Sequence, residues 1–354
     1  MKIWLRIFLV FEVAAISACN LVDEDVRDCP KDEPVPEEDY VMDYGLQLVT
    51  NMRTELETQL SMVSEVKVSA AMETYLKDIF TDYAHDVDLS FYDVKEDSVR
   101  LHHESHIMDA SQSSYTLLIP ARKYMHLAVA NIQDNPTVSL GDDARCHTAA
   151  LHQEVRDTLD SHRRGIFSAR LPMAMKENED QEFDVSLYMA NCAAALVLDT
   201  LGCGVKDIKV FTSGFATDFR LADSTYLYRY TPVIRANAVP LPDASTGRAC
   251  FVSVHFPSRP VPETKSSIDT EDPFVSESAE NPLWQYRIYT RLSDGSITET
   301  LLGVRVPLKP GQLKLVKGWI DGDGAIRPGD EFSTTVAVSV VLNWDPGMSW
   351  TVDL

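Results

Sequence analysis

Three groups of residues have the types and spacing to do chemistry. The first is Cys19, which closes the run Ile16-Ser17-Ala18-Cys19 behind a short apolar segment. A thiol in that setting takes a diacylglycerol group through a thioether, and the small residues before it admit a signal peptidase. The run reads as a lipobox, with cleavage before Cys19 and lipidation of its sulfur. The second group is His102, Glu104 and His106. On a strand these alternate residues project from one face, and two imidazoles with a carboxylate suit zinc; on a helix His102 and His106 also share a face. The polar run Asp109 to Ser114 that follows favours a solvated hairpin rim over a metal site. The third is Asp321-Gly322-Asp323-Gly324, which has the look of a calcium loop. It fails the EF-hand pattern, because the fifth and sixth positions are Ala325 and Ile326, and a β-turn is expected instead.

Other chemistry finds no support. GxSxG, HExxH, P-loop, GxGxxG and CxxC patterns do not occur. Acidic pairs are abundant because the composition is acidic, so they identify no glycosidase dyad. Trp284 and Trp350 have rings that stack on sugars, but packing is the expectation for both. The expectation is therefore no catalytic residue, no metal and no cofactor.

The elements around Cys19 explain its role. Lys2 and Arg6 form a basic start, and Ile7 to Ile16 is apolar apart from Glu12. Residues 1–18 read as a lipoprotein signal peptide, too short to span a bilayer in place. Each buried lipid methylene contributes roughly 0.8 kcal/mol, and stable anchoring takes more than one chain. A triacylated cysteine, palmitate-bearing, meets that need. Residues 19–39 read as a tether: nine Asp and Glu from Asp23 to Asp39 face only Arg27 and Lys31, and Pro30, Pro34 and Pro36 break regular structure.

The formal charge is -22, and loss of the signal peptide makes the mature chain one unit more acidic. Such a chain repels nucleic acid and gains nothing from anionic lipid, so attachment rests on the lipid alone. No stretch beyond the leader approaches the ~20 apolar residues of a membrane-spanning helix. Six cysteines occur. With Cys19 lipidated, Cys29, Cys146, Cys192, Cys203 and Cys250 remain, an odd number that leaves a free thiol in a monomer.

Beyond the tether, Tyr44, Leu46 and Leu48 alternate as in a strand. Met52 to Met62 fits both helical and strand periods, whereas Val68 to Phe80 carries a helical stripe and predicts an amphipathic helix packed on a sheet. Strand alternation then returns at Val87, Tyr115, Tyr124, Phe183 and Ile208, with a buried run at Ala194 to Leu198. Leu151, Val155 and Leu159 suggest one more helix. The last third is β-rich, with strands at Cys250, Tyr286, Leu313, Phe332 and Thr351 and a proline-rich loop over Ser258 to Pro282. Short strands with frequent turns predict β-sandwiches. Two domains are expected, 40–240 with the helical insertion and 241–354, divided in the proline-rich stretch near Pro240 to Gly247.

Several stretches in order carry a family resemblance: the lipobox with Asp23-Glu24-Asp25 and Asp28-Cys29-Pro30; Val87-Asp88-Leu89-Ser90-Phe91-Tyr92; Tyr115 to Pro120 with Lys123-Tyr124; Gly165-Ile166-Phe167 with Arg170-Leu171-Pro172-Met173; and Leu342 to Gly347. Together they resemble the fimbrial anchoring subunits of Bacteroidales, lipoproteins of the fimbrillin superfamily. The acidic residues after Cys19 also resemble the surface-export signal of Bacteroidetes lipoproteins. The resemblance implies a mainly β fold of two tandem transthyretin-like β-sandwich domains, with one or two added helices in the first. It implies a non-enzymatic, surface-exposed outer-membrane lipoprotein that anchors a fimbrium and influences its length. Its partners would be fimbrial subunits joined by β-strand exchange, and Cys19 is the one functional residue carried over. A surface glycan-binding lipoprotein of a polysaccharide-uptake system is the alternative, since it would share the lipobox, tether and sandwiches.

Overall fold

The computed structural model describes residues 38–95, 98–107, 114–141, 143–242, 247–261, 282–332 and 335–344. Cys19, Cys29, the tether up to residue 37, Trp350, the strand expected at Thr351 to Leu354 and most of the Ser258 to Pro282 loop lie outside them.

The described chain is mainly β. β1 (Asp39–Val49) is followed by α1 (Met52–Leu60), α2 (Val66–Ile79) and β2 (Asp86–Asp93). Next come β3 (Arg100–Ile107), β4 (Ser114–Pro120), β5 (Lys123–Ala130), β6 (Val138–Leu140), β7 (Ala150–Gln153) and β8 (Thr158–Asp160). Then follow β9 (Phe167–Ala174), β10 (Gln181–Met189), β11 (Cys192–Asp199), β12 (Val205–Ser213), β13 (Asp218–Arg220) and β14 (Thr225–Leu227). β15 (Val233–Arg235), β16 (Asn237–Ala238), β17 (Arg248–His255) and β18 (Trp284–Leu292) lead to the last four. These are β19 (Ile297–Val304), β20 (Leu313–Ile320), β21 (Ile326–Pro328) and β22 (Val336–Trp344).

The first sheet has the order β3-β2-β5-β9-β10-β1-β4. β9 pairs with β5 from Phe167 to Ala174, and β10 with β1 from Gln181 to Tyr188. Between β9 and β10, however, only Tyr188–Ser168 and Met189–Phe167 pair. The sheet folds at that corner into two facing leaves, β3-β2-β5-β9 and β10-β1-β4. Side chains prove the closure. Tyr44 on β1 reaches His126 on β5 at 2.8 Å, although a flat sheet would set those strands ~14 Å apart. His106 on one outermost strand stacks on Tyr115 of the other, with ring centroids 4.9 Å apart.

A second sandwich pairs the sheet β16-β17-β11-β20-β21 with the sheet β22-β19-β18-β12-β15-β8. Trp284, Tyr286, Ile288, Leu302 and Val304 meet Ala194, Leu196 and Val316 in its core. The opposite face of β11, with Ala193, Ala195 and Val197, belongs to the core that contains the helices. Burial on both faces explains the unbroken apolar run there. The small sheet β14-β13-β7-β6 packs through Leu151 and Phe219 against Leu127 and Val129 of β5.

Two helices form where one was certain from the sequence. Helical spacing wins in α1, which buries Met52, Leu56 and Leu60. α2 buries Val68, Met72, Leu76 and Ile79. Each such side chain contributes about 1.5–3 kcal/mol by leaving water. The helices follow β1 in sequence and dock on the second sandwich. The Leu315 amide donates to Gln59 Oε1 at 3.1 Å, and Lys317 Nζ donates to the Met62 carbonyl at 2.9 Å.

The helix expected over Leu151, Val155 and Leu159 is absent. Leu151 lies on β7 and Leu159 on β8, buried in different cores, while Val155 is 78% exposed between them. Their helical spacing is coincidental. The stretch Pro240 to Gly247 joins β16 to β17, which pair as antiparallel neighbours. β11 and β12, earlier in sequence, pair with β17 and β18 beyond it.

Candidate functional site

Among the described residues no helix is long and apolar enough to cross a membrane. Three features of the first sandwich stand out as places for recognition or chemistry.

The first is the seam between β9 and β10. Beyond Ser168 and Tyr188 the strands part, one into each leaf, and their facing edges have no ladder partner. Pro172 sits in β9 opposite Met125 of β5. Proline cannot donate a ladder hydrogen bond, so an unpartnered edge is where a strand tolerates it. The seam opens a cleft of about 600 Å3 lined by Ser168 to Leu171, Asp184, Ser186 and Tyr188, with Phe219 and Tyr226 beside it. Tyr188 is 61% exposed.

The second is an acidic groove of about 680 Å3 over β1, lined by Asp43, Glu182 and Asp184. Parallel pairing sets Asp43 against Glu182 and Gly45 against Asp184. A Cβ on Gly45 would stand 2.3 Å from Asp184 Oδ1, so only glycine lets that carboxylate lie across β1. Thr116 Oγ1 donates to Asp43 Oδ1 at 3.0 Å.

The third is the His102, Glu104, His106 group. These residues are on strand β3, not in a hairpin loop, and alternate between half-buried and exposed neighbours. Glu104 accepts from His102 Nε2 at 2.7 Å through Oε1 and from His106 Nε2 at 2.8 Å through Oε2. The His102 ring meets Phe91 edge-on at 5.8 Å, and His106 lies flat on Tyr115. The Tyr115 hydroxyl is buried without a hydrogen-bond partner. On the opposite face, His103 Nε2 lies 2.7 Å from Asp88 Oδ2, near Asp143. Arg100 pairs with Asp143 there.

Three other histidines are fully buried and neutral. Burial pushes His126 down to about 4 and His162 and His255 down to about 3. The Ser90 carbonyl fixes the proton of His126 on Nδ1, so Nε2 accepts from the Tyr44 hydroxyl. His162 Nε2 donates to Gln153 Oε1 at 2.9 Å. No sequence signal distinguished these three from surface histidines.

Two further sequence candidates, the Asp321 to Gly324 run and Trp284, are structural. Asp321 to Gly324 forms the turn between β20 and β21: Asp321 Oδ1 accepts from the amides of Asp323 and Ala325, and Gly324 has φ +81°. That left-handed backbone requires glycine. Trp284 is buried in the second core, its Nε1 donating to the Val306 carbonyl at 2.9 Å, so its ring face is closed to sugars.

No protein-family model matches the sequence, and no curated protein matches it. Solved structures do resemble the fold. A proposed adhesin from Bacteroides ovatus is 10% identical, with 77% of this chain and 86% of that chain covered and a TM-score of 0.46. Proposed polysaccharide-binding proteins from Bacteroides thetaiotaomicron are 8% identical, with coverage of 79% and 91% and a TM-score of 0.46. The fimbrial anchor protein Mfa2 from Porphyromonas gingivalis is 8% identical, with coverage of 86% and 97% and a TM-score of 0.43.

Proposed function

We propose that the chain is a lipid-anchored, non-enzymatic subunit that holds the base of a fimbrium at the outer membrane, on the cell surface, and influences fimbrial length. The observation that carries this reading is the order of the sequence: a lipobox ending at Cys19, an acidic proline-broken spacer, then a mainly β body from Asp39 onward. The run of fimbrial-anchor-like motifs through the mature sequence supports it. In this reading the lipid on Cys19 supplies the attachment, 19–39 the reach, and the sandwiches the contact with the filament.

Strand exchange with fimbrial subunits is the assembly chemistry that fits. An extended segment that enters an unpartnered strand edge gains main-chain hydrogen bonds, and its alternate side chains find pockets. The seam beside Pro172 and Tyr188 supports that reading, because it offers such an edge and an adjoining cleft.

The test is purification of the lipoprotein from detergent-solubilised outer membranes, with identification of what stays bound. Fimbrial subunits are the expected companions. Recovery of glycan-uptake proteins in their place, with measurable oligosaccharide affinity, would replace this reading by the glycan-binding one.

A further inference from the structure

We propose that Asp88, His103 and Asp143 form a site for a divalent transition metal of the zinc class, on the face of β2 and β3 turned away from the first core. One ligand atom from each side chain lies within 4.8 Å of the other two. Among the described residues no other three His, Cys, Asp or Glu side chains bring their donors that close. A zinc ion with ligands at about 2.0–2.2 Å sets neighbouring donors about 3.3–3.6 Å apart, so side-chain shifts of about an ångström close the set around one ion. One imidazole and two carboxylates suit zinc, whereas calcium takes oxygen ligands alone.

The three donors come from three separate segments. Asp88 on β2 and His103 on β3 lie on paired strands, with Oδ2 and Nε2 2.7 Å apart. Asp143 comes from the loop between β6 and β7. Contacts of its backbone and its neighbours hold that loop in place without the three side chains. Val99 pairs with Arg145, the Arg100 amide donates to the Ala144 carbonyl at 2.9 Å, and the hydroxyl of buried Tyr92 donates to the Asp143 carbonyl at 2.9 Å. The donors are therefore brought together before any ion arrives.

Charge favours a cation there. The Arg100 guanidinium pairs with Asp143. With His103 neutral, two carboxylates and one guanidinium leave one negative charge over. Both carboxylate side chains are only 21% exposed, so water screens that charge incompletely. In the bound form neutral His103 carries its proton on Nδ1 and turns the Nε2 lone pair to the ion. Both carboxylates stay ionised, and water takes the fourth position. Arg100 is a competitor at Asp143, not a ligand. The bound ion ties the β6–β7 loop, and with it the small sheet, to β2 and β3.

The test is zinc titration of the detergent-solubilised full chain after chelator stripping, with thermal melting in parallel. One zinc per chain and a higher melting temperature are expected. His103→Gln and Asp143→Asn should each bind more than about 100-fold more weakly, beyond the 10–100-fold typical of losing an outer-shell partner, and their melting should no longer respond to zinc. His106→Gln, on the other face of β3, should bind as the parent does. X-ray absorption at the zinc edge of the loaded parent decides without any variant: one imidazole among oxygen ligands supports the site. Absence of stoichiometric zinc in the parent, two or more imidazoles on the ion, or undiminished binding in either His103→Gln or Asp143→Asn overturns it.

Discussion

The hydroxyl of Tyr44 donates to Nε2 of His126 at 2.8 Å, across the interior of the first sandwich. Both side chains are fully buried and come from strands in opposite leaves. The bond therefore ties the leaves together where backbone pairing does not. Tyr44→Phe leaves a buried ring nitrogen without a donor, which costs about 1–3 kcal/mol. Urea unfolding should show a lower midpoint with an unchanged slope. An unmoved midpoint would mean that the leaves do not depend on this contact.

Stability should fall on mild acidification. His126, His162 and His255 stay neutral in the folded chain because burial pushes them down to about 4, 3 and 3. Unfolded, each titrates near about 6.5. Between about pH 6.5 and 4 the unfolded chain takes up protons that the folded chain refuses, so the unfolded state gains. Melting temperature should drop across this window, and His162→Gln should drop less steeply than its parent. Equal slopes would contradict the assignment.

Arg248 joins the helices to the second sandwich. It bonds Glu65, at the start of α2, at 2.6 Å, and also pairs with Asp199 on the neighbouring strand β11. Its hydrogen bond to Glu65 holds that carboxyl below the usual range. The side chain is 18% exposed, so the pair is screened less than a surface one. Arg248→Ala should cost about 1–2 kcal/mol. Hydrogen exchange should rise in α2 before it rises in β11.

Much of this architecture was legible because local and tertiary demands agreed. Val68, Met72 and Leu76 carry a helical stripe, and α2 buries that stripe. Ala194 to Leu198 reads as a buried run because β11 has a core on each face. Elsewhere the signal was too short or borne by polar residues. β7 and β8 span only four and three residues, so Leu151 and Leu159 mimic a helix. β3 alternates, but its inward residues are two histidines and a glutamate, which a hydrophobic pattern passes over. The seam at β9 and β10 depends on where pairing stops, and Pro172 was its one trace in the sequence.

The seam should be visible in solution. Amides of Ala169 to Ala174 that face β10 should exchange faster than those bonded to β5, since no ladder protects them. Addition of a fimbrial subunit should slow the first set. If both sets are equally protected without a partner, the seam is closed. If the partner leaves exchange unchanged, strand entry happens elsewhere.

The account depends most on the sulfur of Cys19. The direct measurement is the distribution of fimbriae between cells and medium for Cys19→Ala at normal expression. We expect the variant to lose its lipid label and to release intact fimbriae into the medium. Fimbriae that remain firmly on cells carrying Cys19→Ala would contradict the anchoring role.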